Sequence, residues 1–125
     1  MVNPFADQKK FMDACDQTTD GTLDEKQYAL YRNLIAEEVG ELNDAIKNND
    51  RVEQLDALID ILVVTIGAIH SIGADSEGAW KEVLQTNLAK IDTKTGKVIK
   101  RKDGKVLKPK DWKAPNLAPF LEKQN

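Results

Sequence analysis

The chain has 125 residues, 41% apolar and 31% charged, with 21 acidic and 18 basic side chains. That suits one domain over residues 1–125 with a modest core, and its single cysteine (Cys15) and single histidine (His70) exclude an internal disulfide, a multi-histidine zinc site and a Cys-His finger. The charge is unevenly placed: residues 1–92 hold 18 acids and 8 bases, a net of −10, whereas residues 93–113 hold 9 bases and 2 acids, a net of +7.

The opening MVNPFADQKK lacks the apolar run of a signal peptide, and Phe5, Phe11, Met12 and Cys15 space out a short helix starting near Pro4. Thr18-Thr19-Asp20-Gly21 breaks it. Thr22 with Glu25 three residues later forms a capping-box pattern, which predicts the start of a long second helix. Its stripe is Tyr28, Tyr31, Leu34, Ile35, Val39, Leu42 and Ile46, and Asn48-Asn49-Asp50 ends it.

The spacing predicts a third helix over 52–72, with a stripe of Leu55, Leu58, Ile59, Leu62, Ile66 and Ile69. Val63, Val64 and Gly67 make it apolar all round from about Ile61, so it is expected to lie centrally or between subunits. The run from Ile61 to Ile72 contains Thr65, His70 and Ser71 and falls short of the roughly 20 residues a membrane crossing needs. A cytoplasmic protein is the expectation. Gly73 ends the third helix, and Asp75 or Ser76 caps a fourth, predicted to reach about Ile91 on the stripe Trp80, Val83, Leu84, Leu88 and Ile91.

The fold class is therefore all-α: a bundle of about four helices over residues 1–92, followed by a basic, proline-containing segment over 93–125. In that segment Asp103-Gly104, between Val98-Ile99 and Val106-Leu107, reads as a small hairpin turn. From Pro109 to Phe120 the chain reads as extended, with Trp112, Leu117 and Phe120 available to pin it to a surface.

Glu37-Glu38-Val39-Gly40-Glu41 and Glu53-Gln54-Leu55-Asp56-Ala57-Leu58-Ile59-Asp60 carry the chemistry. At about 100° per residue, Glu38 lies roughly 50° and Glu41 about 110° from the centre of the apolar stripe, so both can point into one inter-helix cleft. Asp56 and Asp60 share a face of the next helix that turns apolar within a turn. Carboxylates beside apolar surface repel one another and are costly to desolvate, and a divalent cation reverses that cost. With no ring of histidines or thiolates available, carboxylate ligands favour a hard ion, Mg²⁺ or Mn²⁺. A solvated acidic face is the other reading the residues allow, although these acids are poorly supplied with lysines one turn away.

Glu37-Glu38-x-x-Glu41 followed by an acidic third helix resembles the MazG-like all-α nucleoside triphosphate pyrophosphohydrolases, a group that includes phosphoribosyl-ATP pyrophosphatases and dimeric dUTPases. The likeness continues through Asp56-Ala-Leu-Ile-Asp60, Thr65-Ile-Gly-Ala68, Glu82-Val83, Asn87-Leu-Ala-Lys90 and Asp103-Gly-Lys-Val-Leu-Lys-Pro109, covering about Leu30 to Trp112. The group's pattern is EExxE, a gap, then ExxD, with carboxylates binding Mg²⁺.

In register, Asp60 takes the place of the last Asp and Ala57 stands where the group has Glu. Asp56, on the same face, then substitutes for that Glu. Glu53-x-x-Asp56 matches the spacing one turn upstream but does not precede the apolar run, leaving Glu53 a weaker candidate. The resemblance thus implies Glu38, Glu41, Asp56 and Asp60 as metal ligands, with Glu37 as a further ligand or as the base that orients the attacking water. It also implies a nucleotide contact from Asn87 and phosphate contacts from Lys90, Lys105 and Lys108.

The implied activity is Mg²⁺-dependent hydrolysis of (deoxy)nucleoside triphosphates to monophosphate and pyrophosphate, in a homodimer or homotetramer that completes the core. A dUTP or phosphoribosyl-ATP hydrolase is the neighbouring alternative. A noncatalytic helical dimer binding nucleic acid through its tail is the distant one, but aromatic residues are not interleaved with the tail's bases, so nucleic acid is not the expected partner. Single-domain members occur in bacteria and phages, which implies the cytoplasm or a host's cytoplasm. His70 is expected to be structural, Cys15 a small core residue, and Tyr28, Tyr31 and Trp80 core residues. Gly40 is expected to permit close helix approach beside the metal cleft. No P-loop or dinucleotide fingerprint is present, so phosphate recognition falls to metal and lysines.

Overall fold

A computed structural model describes residues 1–124. Helix α1 spans Pro4–Ala14, with Asn3 as its N-cap accepting from the Ala6 N–H and Pro4 in the first turn, where its missing N–H costs nothing. Helix α2 spans Glu25–Lys47 and α3 spans Arg51–Ser71. They form the main packed pair. The cap of α2 is Asp24, whose carboxylate accepts from the Gln27 N–H at 3.0 Å, and not the predicted Thr22. The Thr22 hydroxyl instead donates to Asp20 Oδ1, a local turn bond that competes with capping.

The α2–α3 reversal takes only 48–50. Asn49 adopts φ +53, and Asp50 caps α3 by accepting from the Glu53 N–H. Asn tolerates this left-handed conformation better than most residues. The core between α1, α2 and α3 holds Met12, Tyr31 and Ala68, with Tyr28, Leu34, Ile35 and Val64 against them. A Cβ at Gly67 would run into the Tyr31 ring, so the glycine is what lets that aromatic lie on α3. His70 is buried and donates from Nε2 to the Phe5 carbonyl at 3.0 Å, tying α1 to α3 in the structural role expected of it. At the same end of α3, away from the reversal, buried Gln27 donates to Thr18 O and Ser71 Oγ, both at 2.8 Å, closing the α2–α3 pair.

After Gly73, at φ +82, the chain turns by 114° into α4, Ser76–Leu88, capped by Asp75. Helix α4 ends before the predicted Ile91, because Ile91–Asp92 (β1) pairs antiparallel with Lys97–Val98 (β2), Ile91 opposite Val98 and Asp92 opposite Lys97. The Asp103-Gly104 turn follows, with Lys100 bridging Val106 and the Leu107 N–H donating to Ile99 O at 2.8 Å. The tail then runs back along α4. Trp112 Nε1 donates to Thr86 O at 2.7 Å, Asn116 N to Glu82 Oε2 at 2.7 Å, and Asp75 N to Phe120 O at 2.9 Å, before a 3-10 helix over Ala118–Gln124.

Three expected placements differ. Cys15 is exposed, because it sits at the C-cap of α1 beyond the buried Met12. A Cβ at Gly40 would meet nothing within 4 Å, so the close approach on this helix pair belongs to Gly67. Trp80, expected in the core, is 59% exposed in the single chain, as are Leu55 at 61% and Ile59 at 52%. These side chains lie on their predicted stripes, and the single chain leaves the stripes open. Among the described residues no single helix is long and apolar enough to cross a membrane.

Candidate active site

The acidic residues are set by the α2–α3 hairpin. Its short reversal runs the helices side by side, so Glu38 on α2 feels the charges of Glu41, Asp56 and Asp60, and Asp60 on α3 those of Glu41 and Asp56. Glu38 and Asp60 are half-buried, Glu41 and Asp56 exposed, and Glu38 is the one with an unsatisfied atom. Its Oε2 is buried without a hydrogen-bond partner, although buried carboxyl oxygens are normally satisfied.

Burial first, then the close approach of the Glu41 carboxyl, then the charges of Glu41, Asp60 and Asp56 push the Glu38 carboxyl up to about 7. Asp60 is raised as well, by burial and then by Asp56 and Glu41. Glu38 and Asp60, each raised by burial and by acidic neighbours, form a site that positive charge would relieve. Among the described residues no three of these groups converge on a single point as a closed ligand set. The donor chemistry nevertheless suits a hard divalent ion, since the orphaned Glu38 oxygen and carboxylates from both helices supply only oxygen ligands.

Toward the helix reversal the same groove widens into a cleft of about 400 Å³ lined by Glu41, Asp44, Asp50, Glu53 and Asp56, with Ala45 and Ala57 as its floor. Asp44 was not singled out in the sequence. It falls three residues after Glu41, a helical neighbour spacing that could have flagged it. Glu53 lines this cleft, but its charge is not among those acting on Glu38. Glu37 is exposed on α2.

The basic candidates gather elsewhere. Lys90 and Lys108 line one groove of about 550 Å³ beside β1, with Asp92 and Asp111 also on its walls. Asn87, predicted on the apolar stripe of α4, is exposed near the helix end and accepts from Lys90 Nζ at 3.1 Å. Both ammonium groups lie over the Trp112 ring, Lys90 at 5.2 Å and Lys108 at 4.8 Å from its centroid. Lys105 is exposed at the hairpin turn, its N–H bonded to Asp103 Oδ1, and does not line this groove. The acidic and basic grooves share no residue within one chain.

This arrangement can hold a divalent cation on oxygen ligands at one place and an anion on two ammonium groups at another, as an Mg-polyphosphate substrate requires. A sequence profile of the phosphoribosyl-ATP pyrophosphohydrolase family matches residues 7–87, from α1 to the last turn of α4. No curated protein matches the chain. The match spans nearly all of the helical body, including all four acids and Asn87, and so the chain belongs to the phosphoribosyl-ATP pyrophosphohydrolase family, within the MazG-like all-α nucleotide pyrophosphatases.

Proposed function

We propose that the chain hydrolyses (deoxy)nucleoside triphosphates to the monophosphate and pyrophosphate with Mg²⁺, Mn²⁺ being a substitute, in the control of a cytoplasmic nucleotide pool. The observation that carries this reading is the orphaned, charge-stressed Glu38 carboxyl among Glu41, Asp56 and Asp60. Those four residues would hold the metal, which when bound polarises phosphate oxygens and lowers the pKa of attacking water. Glu37, exposed beside Glu38 on α2, is free to orient that water or to add a further ligand. Asn87 contacts the nucleotide, and Lys90 and Lys108 balance the charge of the pyrophosphate leaving group, with Lys105 reaching it from the hairpin. The family match favours phosphoribosyl-ATP as a second substrate reading.

The reading includes a second copy of the chain. Leu55, Leu58, Ile59 and Leu62 on α3 and Trp80 on α4 are about half exposed or more. Beside them a wholly apolar hollow of about 400 Å³ opens between α3, α4 and the tail. Apolar surface on this scale gains roughly 25 cal/mol per Å² when covered. A dimer, or a dimer of dimers, covers it and gives one copy's lysines a route to the other copy's acids.

The test is pyrophosphate release from a panel of dNTPs, NTPs, dUTP and phosphoribosyl-ATP with Mg²⁺, alongside a Glu38→Ala, Asp60→Ala double variant. Release lost in the variant supports the enzyme. No release from any substrate, or release unchanged in the variant, overturns it, and salt-sensitive oligonucleotide binding without turnover points to a binding protein instead.

A further inference from the structure

Trp112 is the only aromatic residue between the β1–β2 turn and Phe120, and three contacts converge on it. Its indole N–H donates to the Thr86 carbonyl in the last turn of α4, fixing the ring to the helix. The Lys90 ammonium, from just past α4, lies 5.2 Å from the ring centroid and the Lys108 ammonium, from beyond the Asp103-Gly104 turn, 4.8 Å from it, and both lysines line one groove. Two ammonium groups repel, and flexible lysine side chains in water normally splay apart. Here neither is ion-paired to a carboxylate among the described residues, where the ion pairs are Lys9–Asp13 and Arg101–Asp103. The indole quadrupole holds both without neutralising either. A carboxylate in its place would gather the same lysines and cancel their charge.

We propose that Trp112 is a positioning residue: its ring gathers Lys90 and Lys108 into one two-ammonium subsite for the phosphate chain of the substrate. This rests on the proposed function for the identity of the anion. Trp112 does not touch the reacting atoms, and it acts through the lysines. The groove that Lys90 and Lys108 line is open along Ile99, Leu107 and Pro109, which leaves a polyphosphate room to enter.

The probe is sodium tripolyphosphate without Mg²⁺, titrated calorimetrically into the full chain. Each cation–π contact is of the size that shifts an equilibrium about twofold to fivefold at an exposed site. Trp112→Leu, which keeps bulk and loses the π face, is therefore expected to weaken tripolyphosphate binding about fivefold or more. Trp112→Phe, which keeps a smaller aromatic face without the N–H, is expected to recover part of the affinity. In steady state Trp112→Leu raises KM for the triphosphate while kcat stays within about twofold.

Wild-type binding in Trp112→Leu, or equal weakening in the Leu and Phe variants, overturns the proposal, the second because it marks a purely structural role. Should the leucine variant not fold, Trp80→Phe leaves Trp112 as the sole indole. Its emission then changes saturably with tripolyphosphate, and an unchanged emission overturns the proposal. Graded tripolyphosphate binding without hydrolysis of any nucleotide keeps the subsite and removes the proposed function. Hydrolysis with an unaltered KM in Trp112→Leu does the reverse.

Discussion

The acidic and the basic groove are built in opposite ways. The acids stand on two long helices locked by Tyr31 against Gly67 and by Gln27 to Ser71, with one carboxyl oxygen left without a partner. The lysines stand on a helix end and a hairpin, and an indole ring holds them. Neither of the two ion pairs among the described residues joins the groups, so each keeps its charge for something outside the chain. A rigid frame suits the acids, because only fixed carboxylates can be forced together enough to need a cation. A looser mounting suits the lysines in their proposed role, which would have them follow a flexible phosphate chain.

The sharpest way to break this contrast is to remove the frame's charges. Glu38→Ala with Asp60→Ala is expected to lower pyrophosphate release at least about 100-fold, as loss of metal ligands does. On the proposed reading Mg²⁺ raises the melting temperature of the native chain, and the variant should abolish that rise. Glu38→Gln, nearly isosteric, guards against a fold-level explanation. A retained Mg²⁺ shift in both variants would place the ion elsewhere.

The two regions differed in how well they could be read from sequence. On the acidic side, period and spacing suffice: Glu38, Glu41, Asp56 and Asp60 fall on facing surfaces because 3.6 residues per turn and a three-residue reversal leave little freedom. What could not be read there is packing, since a glycine on a helix carries no mark of its neighbour. Gly40 and Gly67 look alike until Tyr31 is placed. The predicted Thr22 cap failed for a similar reason, because Asp20 captures the threonine and Asp24 caps the helix in its place.

On the basic side, composition showed a charged, turn-rich tail but not which lysines meet. Lys90 and Lys108 are eighteen residues apart and meet at Trp112, while Lys105, closer in sequence to Lys108, does not line the groove they share. The pairing of Ile91 with Val98 also lay outside the helical reading, because the helix stripe passes smoothly through Ile91.

The lysines give the next largest effect. Lys90→Ala with Lys108→Ala is expected to raise KM for the triphosphate about tenfold, on the order of two charge-assisted contacts partly screened by solvent. The Mg²⁺-induced thermal shift should be unchanged. If both variants, acidic and basic, lose the Mg²⁺ shift together, the two grooves are not separate in function and the contrast fails.

A smaller effect comes from pH. Glu38 ionises at about 7 in the folded chain and near 4.5 when unfolded. Between these values the unfolded chain has released the proton and the folded chain still binds it. Stability contributed by that proton is full below about 4.5 and is lost as pH rises toward 7. The carboxyls held below their usual range, Asp13, Asp20, Asp24 and Asp103, work in the opposite sense but only below about 3.8, outside this window. Metal-free protein is therefore expected to melt lower at pH 7.5 than at pH 5. Mg²⁺ or Glu38→Gln should flatten the slope. A melting temperature that climbs with pH across this range would show that the acids are not in conflict.

The smallest effect tests whether the acidic frame is complete in one chain. Gly40 lies inside α2 between Glu38 and Glu41, exposed, with nothing within 4 Å of a built Cβ. Glycine in a helix interior costs about 1 kcal/mol relative to alanine, so Gly40→Ala should stabilise the chain by roughly 0.5–1 kcal/mol. Activity should stay within about twofold of the native chain, because the substitution adds one methyl group to open surface. Denaturant unfolding and pyrophosphate release measure the two halves. If the alanine instead costs activity or disrupts association while the helices remain folded, something outside the chain approaches Gly40 closely. The second copy would then reach the acids along α2, beside Glu38, and the separation of the two grooves would belong to the isolated chain alone.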